Sequence, residues 1–173
     1  IFENAWKKVI LHQFHDDITG TSFEECYKRS HNDYVQAMHS FSAEYTSALK
    51  ALSSKLDTSF AKGIPVLVSN PVQNTDLRTQ CVSADIAYEG SEAYVRVYDS
   101  KGKEVPSQMR KLDNGKIRVS FMASVVSCGL AVYDVCFCDE KSSVETALSY
   151  KDNIIENEYI RVTIDEKGDI ASV

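Results

Sequence analysis

At Gly63 the hydrophobic pattern of this chain changes period, and that change restricts it to helices followed by strands. Upstream, Tyr27, Tyr34, Met38, Phe41, Tyr45, Ala48/Leu49, Leu52 and Leu56 recur at near-heptad spacing with Lys, Ser, Glu and His between them. This is the pattern of a helix with a single apolar seam. Downstream of Gly63 and Pro65 the period falls to two, with strand candidates at residues 64–69, 80–87, 93–99, 104–111, 116–123 and 130–138. Turn signals recur about every ten residues between them, at Asn70-Pro71, Glu89-Gly90, Lys101-Gly102, Asn114-Gly115 and Cys128-Gly129, a spacing that predicts an antiparallel sandwich. A helical period and a strand period cannot share one element. The expected class is therefore α+β, with long antiparallel helices of a three-helix bundle followed by an antiparallel β-sandwich.

The long seam predicts a helix of about 35 residues, roughly 50 Å at about 1.5 Å per residue. Such a helix needs helical partners, so it reads as one arm of a bundle whose other members lie partly outside the chain. A shorter apolar stripe precedes it, through Phe2, Ala5, Trp6, Val9, Ile10 and Gln13/Phe14, and predicts a helix ending near Phe14 or His15. Ser22 and Glu25 have the spacing of a capping box for the long helix. Residues 140–149 are polar enough for a linker, and residues 159–164 and 169–173 read as a hairpin around Asp165-Glu166-Lys167-Gly168. The expected domains are 1–62 (end of the helical bundle), 63–149 (sandwich) and 150–173 (first hairpin of a further β domain). The first residues look neither like a signal peptide nor an initiating Met, and the last strand has barely begun, so the chain is expected to start and stop inside a larger protein.

Charge narrows the partners. The chain carries 25 acidic and 19 basic residues, net −6, with no basic block that could follow a phosphate backbone, so nucleic acid is not expected. No apolar run approaches the roughly 20 residues that span a bilayer, so no membrane is expected either. The five cysteines are odd in number and irregularly spaced, which points to neither a disulfide framework nor a zinc ribbon. Cys136 and Cys138 share one face of a strand and are expected as buried thiols.

Chemistry concentrates in residues 11–22, where His12, His15, Asp16 and Asp17 lie where a helix runs into a hydroxyl-rich loop, Ile18-Thr19-Gly20-Thr21-Ser22. Imidazole with carboxylate is a usual ligand set for zinc, but an acidic pair among hydroxyls is equally a common helix cap. The residues alone leave both readings open. His31 and His39 fall on the outer face of the long helix and are expected at the surface.

Gln13-Phe14-His15-Asp16, then one residue, then Ile18-Thr19-Gly20-Thr21 resembles the signature loop of the zinc-dependent α-mannosidases of glycoside hydrolase family 38. Val66-Leu67-Val68-Ser69-Asn70-Pro71 with Arg78 is similar to the strand that opens that family's β region. Glu156-Asn157-Glu158-Tyr159 with Gly168 and Ile170 is similar to the hairpin that starts its C-terminal sandwich. The resemblance implies that His15 is one ligand of a single zinc ion, the remaining ligands lying outside this chain in an N-terminal α/β domain, and that Asp16 bonds a hydroxyl of the bound mannose. It implies a retaining hydrolase acting on terminal α-mannosyl residues of mannose-containing oligosaccharides. Such a reaction needs two carboxyl groups about 5 Å apart; the family places both in its α/β domain, so no catalytic residue is expected here and Asp16 and Asp17 are not that pair. Asp17 is expected to be solvated or capping, and His12 packed or hydrogen-bonded. Phe14 departs from the His that many relatives carry before the metal ligand, which bears on the sugar pocket. The fragment by itself is expected to be inactive, its partners being the missing α/β domain and the C-terminal β domains. A periplasmic, secreted or lysosomal-type compartment is the expectation for such a glycan-degrading enzyme.

Two other classes compete. A β-sandwich could be a non-catalytic carbohydrate-binding or interaction module, but the only Trp is Trp6, ahead of the sandwich. The long seam could instead serve self-association through Tyr34, Met38, Phe41 and Tyr45.

Overall fold

The computed structural model describes residues 1–73 and 78–173; the side chain of Arg78, part of the Asn-Pro resemblance, lies outside the described residues. The chain divides into two compact units, residues 1–57 and 58–173. The first holds α1 (Phe2–Leu11), α2 (His15–Ile18) and α3 (Glu24–Ser53).

Helix α1 ends at Leu11, earlier than its apolar spacing suggests. The amides of Gln13 and Phe14 turn back to the carbonyls of Ile10 and Leu11, and Phe14 takes an extended conformation (ψ 142°) that interrupts the helix before α2 begins. The capping box at Ser22 is not formed. Phe23 stands at the cap of α3 without a side-chain bond, because the Ser22 hydroxyl is already used on the carbonyl of Asp16 and the carboxylate of Asp17.

Helices α1 and α3 pack antiparallel. Phe2 and Trp6 meet Phe41 at ring distances of 5.6 and 5.2 Å, Lys8 reaches Asp33, and His12 lies between Asp33 and Ser30. The buried positions of α3 are Ser30 and Ala37. Small residues there let the backbones approach. Of the expected seam, Tyr27, Tyr34 and Phe41 are half-buried, while Met38 (64% exposed), Tyr45 and Leu52 stand exposed. Within this unit α1 packs along α3 and the single turn α2 touches its start, so a three-helix bundle is not seen among the described residues. No helix is long and apolar enough to cross a membrane among the described residues.

The second unit contains β1 (Ile64–Asn70), β2 (Arg78–Ile86), β3 (Tyr94–Tyr98), β4 (Glu104–Val105), β5 (Ser107–Lys111), β6 (Ile117–Val125), β7 (Gly129–Cys138), β8 (Ser149–Lys151), β9 (Ile154–Glu156), β10 (Arg161–Ile164) and β11 (Ile170–Ser172). They form antiparallel sheets ordered β1-β7-β3-β4, β2-β6-β5 and β11-β10-β9-β8. The first two face each other. Strand β6 alternates strictly, with Ile117, Val119, Phe121 and Ala123 buried against Val95, Val97, Tyr133 and Val135 of the opposite sheet. Its outward residues pair across to β2: Arg118 with Asp85, Ser120 with Ser83 and Ser124 with Thr79.

The strand expected at 104–111 is broken at Pro106, where the chain crosses from one sheet to the other between β4 and β5. Proline has no N–H for a ladder, so the crossing costs little there. The expected linker at 140–149 is irregular only as far as Leu148. From Ser149 the chain enters a hairpin, β8–β9, turned by Asp152 and Asn153, both with positive φ (52° and 61°). Two such residues suit a two-residue hairpin turn. Cys136 and Cys138 are half-buried and all five cysteines are free; burial raises the Cys136 thiol to about 11.

Candidate functional site

The loop between α1 and α3 is built around α2, a single helical turn that presents His15 and Asp16 outward. Their side chains are 75% and 57% exposed, with His15 Nε2 at 3.4 Å from Asp16 Oδ1. The Phe14 ring leans on the His15 imidazole at 4.2 Å between centroids. The carbonyl of Asp16 is approached by the amide and hydroxyl of Thr21 and the hydroxyls of Ser22 and Tyr27. The backbone is thus pinned while both side chains remain available to solvent.

Asp17 is turned the other way. Expected as solvated or capping, it is tied into the helix pair: Oδ2 lies 2.8 Å from His12 Nδ1 and 3.3 Å from the Ser30 hydroxyl, and Oδ1 accepts from Ser22 at 3.1 Å. His12 is only 6% exposed, and its other nitrogen, Nε2, lies 3.1 Å from Asp33 Oδ2. Lys8 Nζ reaches Asp33 Oδ1 at 3.0 Å, and the Tyr34 hydroxyl donates to the His12 carbonyl. His12 is therefore hydrogen-bonded and packed, as its place on a helix suggested. That Asp33 joins it was not visible in the sequence, since 21 residues separate them.

These partners shift the titrations. The Asp17 hydrogen bond, opposed by burial and reinforced by Asp33, raises His12 above 6.5. The Lys8 ammonium, then His12, holds Asp33 below 3.8. A raised imidazole contributes stability that is whole below its unfolded value and is lost as pH rises through its folded one; a depressed carboxylate contributes above its unfolded value and loses it as pH falls. The cluster should therefore stabilise the helical unit most between 3.8 and 6.5. Melting followed at 222 nm across pH 4 to 8 is expected to show Tm falling above about pH 6.5. His12→Gln should flatten that decline; an unchanged slope in the variant would remove His12 as its source.

Whether these residues fit a zinc ion follows from the donor set. His15 offers an accessible imidazole and Asp16 an accessible carboxylate, ligand types zinc accepts. Among the described residues no group of three or more His, Cys, Asp or Glu side chains is gathered to hold a metal. Zinc prefers four ligands, so His15 fits as one contributor to a shared site, with the Asp16 carboxylate beside it. His31 and His39 are exposed on α3 and take no part.

The second unit has a cavity of about 820 Å³ beside β5 and β6, lined by apolar residues such as Val95, Met109 and Phe121 together with polar ones such as Ser107, Gln108 and Asn157. It gathers no acidic pair and no Trp.

Residues 2–52 match the family model of the α-mannosidase middle domain. Among solved structures, the crystal structure of an α-mannosidase from Enterococcus faecalis V583 superposes with a TM-score of 0.64 at 19% sequence identity, covering 96% of this chain and 23% of that one. The chain thus spans about a quarter of that protein's length and shares its fold there. No curated protein sequence matches it.

Proposed function

Starting from residues 2–52 as an α-mannosidase middle-domain segment of the family 38 type, we propose that the chain is part of a retaining, zinc-dependent α-mannosidase that removes terminal α-mannosyl residues from glycans. His15 supplies one metal ligand and Asp16 a hydroxyl contact to the sugar. The observation that carries this is the outward His15–Asp16 pair on a pinned turn, inside the matched segment.

A zinc ion held in part by His15 would supply Lewis acidity towards the bound sugar. The chain's own residues do the rest of what falls to it. Asp16 accepts a hydrogen bond from a sugar hydroxyl and orients the ring, and Phe14 offers an apolar wall next to His15. The nucleophile and the acid/base lie outside the chain, in an N-terminal α/β domain, which would also complete the metal site. On this reading residues 1–62 end a three-helix bundle whose further helix covers the exposed Met38 and Leu52. Residues 63–149 are the first sandwich, and residues 150–173 open the next β domain. The competing sandwich-lectin reading has the cavity beside β5 in its favour, where Ser107, Gln108, Ser142 and Asn157 join a mostly apolar lining that holds no acidic residue.

The test uses the full-length protein. Zinc content and hydrolysis of 4-nitrophenyl α-mannoside are measured before and after stripping with dipicolinate. Activity should disappear with the metal and return with added zinc. A stripped protein that turns over at an undiminished rate would rule the reading out.

A further inference from the structure

The turn that carries His15 and Asp16 has little to hold it by itself. It is four residues long, its cap Phe14 contributes no side-chain bond, and none of its residues is buried. One helical turn is far below the length that persists unaided in water. Its fixed points are the Asp16 carbonyl, bonded from Thr21, Ser22 and Tyr27, and the Asp17 carboxylate, which faces inward.

Asp17 leads to a chain of charged groups linking all three helical elements. Its carboxylate meets His12 of the segment following α1; His12 meets Asp33 of α3; Asp33 meets Lys8 of α1. Ser30 of α3 closes the cluster, its hydroxyl lying 3.0 Å from His12 Nδ1 and 2.9 Å from the Cys26 carbonyl. Both ring nitrogens of a nearly inaccessible histidine are thus engaged by carboxylates on different elements. An arrangement serving only helix packing would be better met by an apolar side chain, because burying paired charges brings little net stability. What it supplies instead is direction. With Asp17 anchored inward, the two preceding residues on the same turn must face outward.

We propose that His12, acting through Asp17, is a positioning residue that fixes the orientation of the turn presenting His15 and Asp16. The proposal rests on the reading of those two residues as metal ligand and sugar contact. Ligands held by outer partners keep a metal site preorganised, and losing such partners typically weakens metal binding by about 10–100-fold.

The test compares the full-length protein with His12→Ala, His12→Gln and Asp17→Asn. Hydrogen exchange of the peptide covering residues 15–22 is followed in metal-free protein, and the zinc Kd is measured by competition with a chromogenic chelator. Expected are faster exchange confined to that peptide, with β1 and β7 unaffected, and a zinc Kd weakened about 10-fold or more in His12→Ala. His12→Gln, which keeps a donor for one carboxylate, should recover part of both. Asp17→Asn, at the edge of the cluster, gives the same reading should His12→Ala fold poorly. A parent that binds zinc while His12→Ala and Asp17→Asn keep its Kd sinks the positioning role alone, whatever the exchange does. A parent that takes up no zinc sinks the reading of His15, and this proposal with it.

Discussion

Replacing His15 by Ala in the full-length protein is expected to strip zinc and to lower kcat/KM for an α-mannoside by more than about 100-fold, the upper range for losing a mere outer partner of a metal. The loss should be chemical and not structural. The His15 side chain is 75% exposed and meets its neighbours Phe14 and Asp16. Surface substitutions of that kind usually move stability by less than about 0.5 kcal/mol, so Tm of the metal-free protein should stay put. Asp16→Asn separates the two roles. It keeps the shape of the side chain and should retain zinc, but it exchanges a charge-assisted hydrogen bond, worth about 1.5–3 kcal/mol, for a neutral one. The corresponding fall in kcat/KM is roughly 10-fold or somewhat more. Stoichiometric zinc and full turnover in His15→Ala would make His15 a bystander.

The second large effect is structural and lies where the hydrophobic period changes. Asp134 of β7 is 5% exposed, and its two oxygens accept the amides of Lys62 and Gly63, each at 2.8 Å. The carboxylate thereby satisfies the last two backbone donors before β1 enters the sheet. Hydrogen bonds to a charged group contribute about 1.5–3 kcal/mol each, and a buried donor left without a partner carries its full desolvation cost. Lys62 and Gly63 are themselves exposed, so water can reach their freed amides, and Asp134→Ala is expected to destabilise the β unit by about 1–3 kcal/mol. Asp134→Asn can still accept one amide but turns an NH2 toward the other, so it should lose about half. Chemical denaturation read by near-ultraviolet circular dichroism, with exchange of the β1 and β7 amides, measures both. An unchanged midpoint in Asp134→Ala would mean that water replaces the carboxylate without cost. Gly63 belongs to the same joint: a Cβ there would lie 2.2 Å from the carbonyl oxygen of Val135, backbone that cannot move aside. The residue that reads in sequence as a helix stop is in the fold a point of closest approach.

Much of this was legible from one dimension. The period of two across residues 116–123 named the strand that becomes β6, and the near-heptad spacing named α3, because both patterns report a geometry that repeats every few residues. The α-mannosidase resemblance was legible too, and residues 2–52 match the α-mannosidase middle-domain model. Other features were not legible. Met38 and Leu52 fit the seam by spacing but stand exposed, while Ser30 and Ala37 are buried, since which side of α3 meets α1 depends on a helix elsewhere in the chain. Asp17 looked like a cap and is the inner anchor of the turn. Pro106 lay inside a run with strand character, yet it marks the crossing between sheets.

The sequence by itself determined the order of helix and strand and the period of each element, both properties of neighbours along the chain. Only the tertiary structure decided that His12 sits between Asp17 and Asp33, and that Asp134 holds the start of β1. Burial of a charged group depends on partners that approach from 5 to 72 residues away, and no local period encodes which of them will arrive.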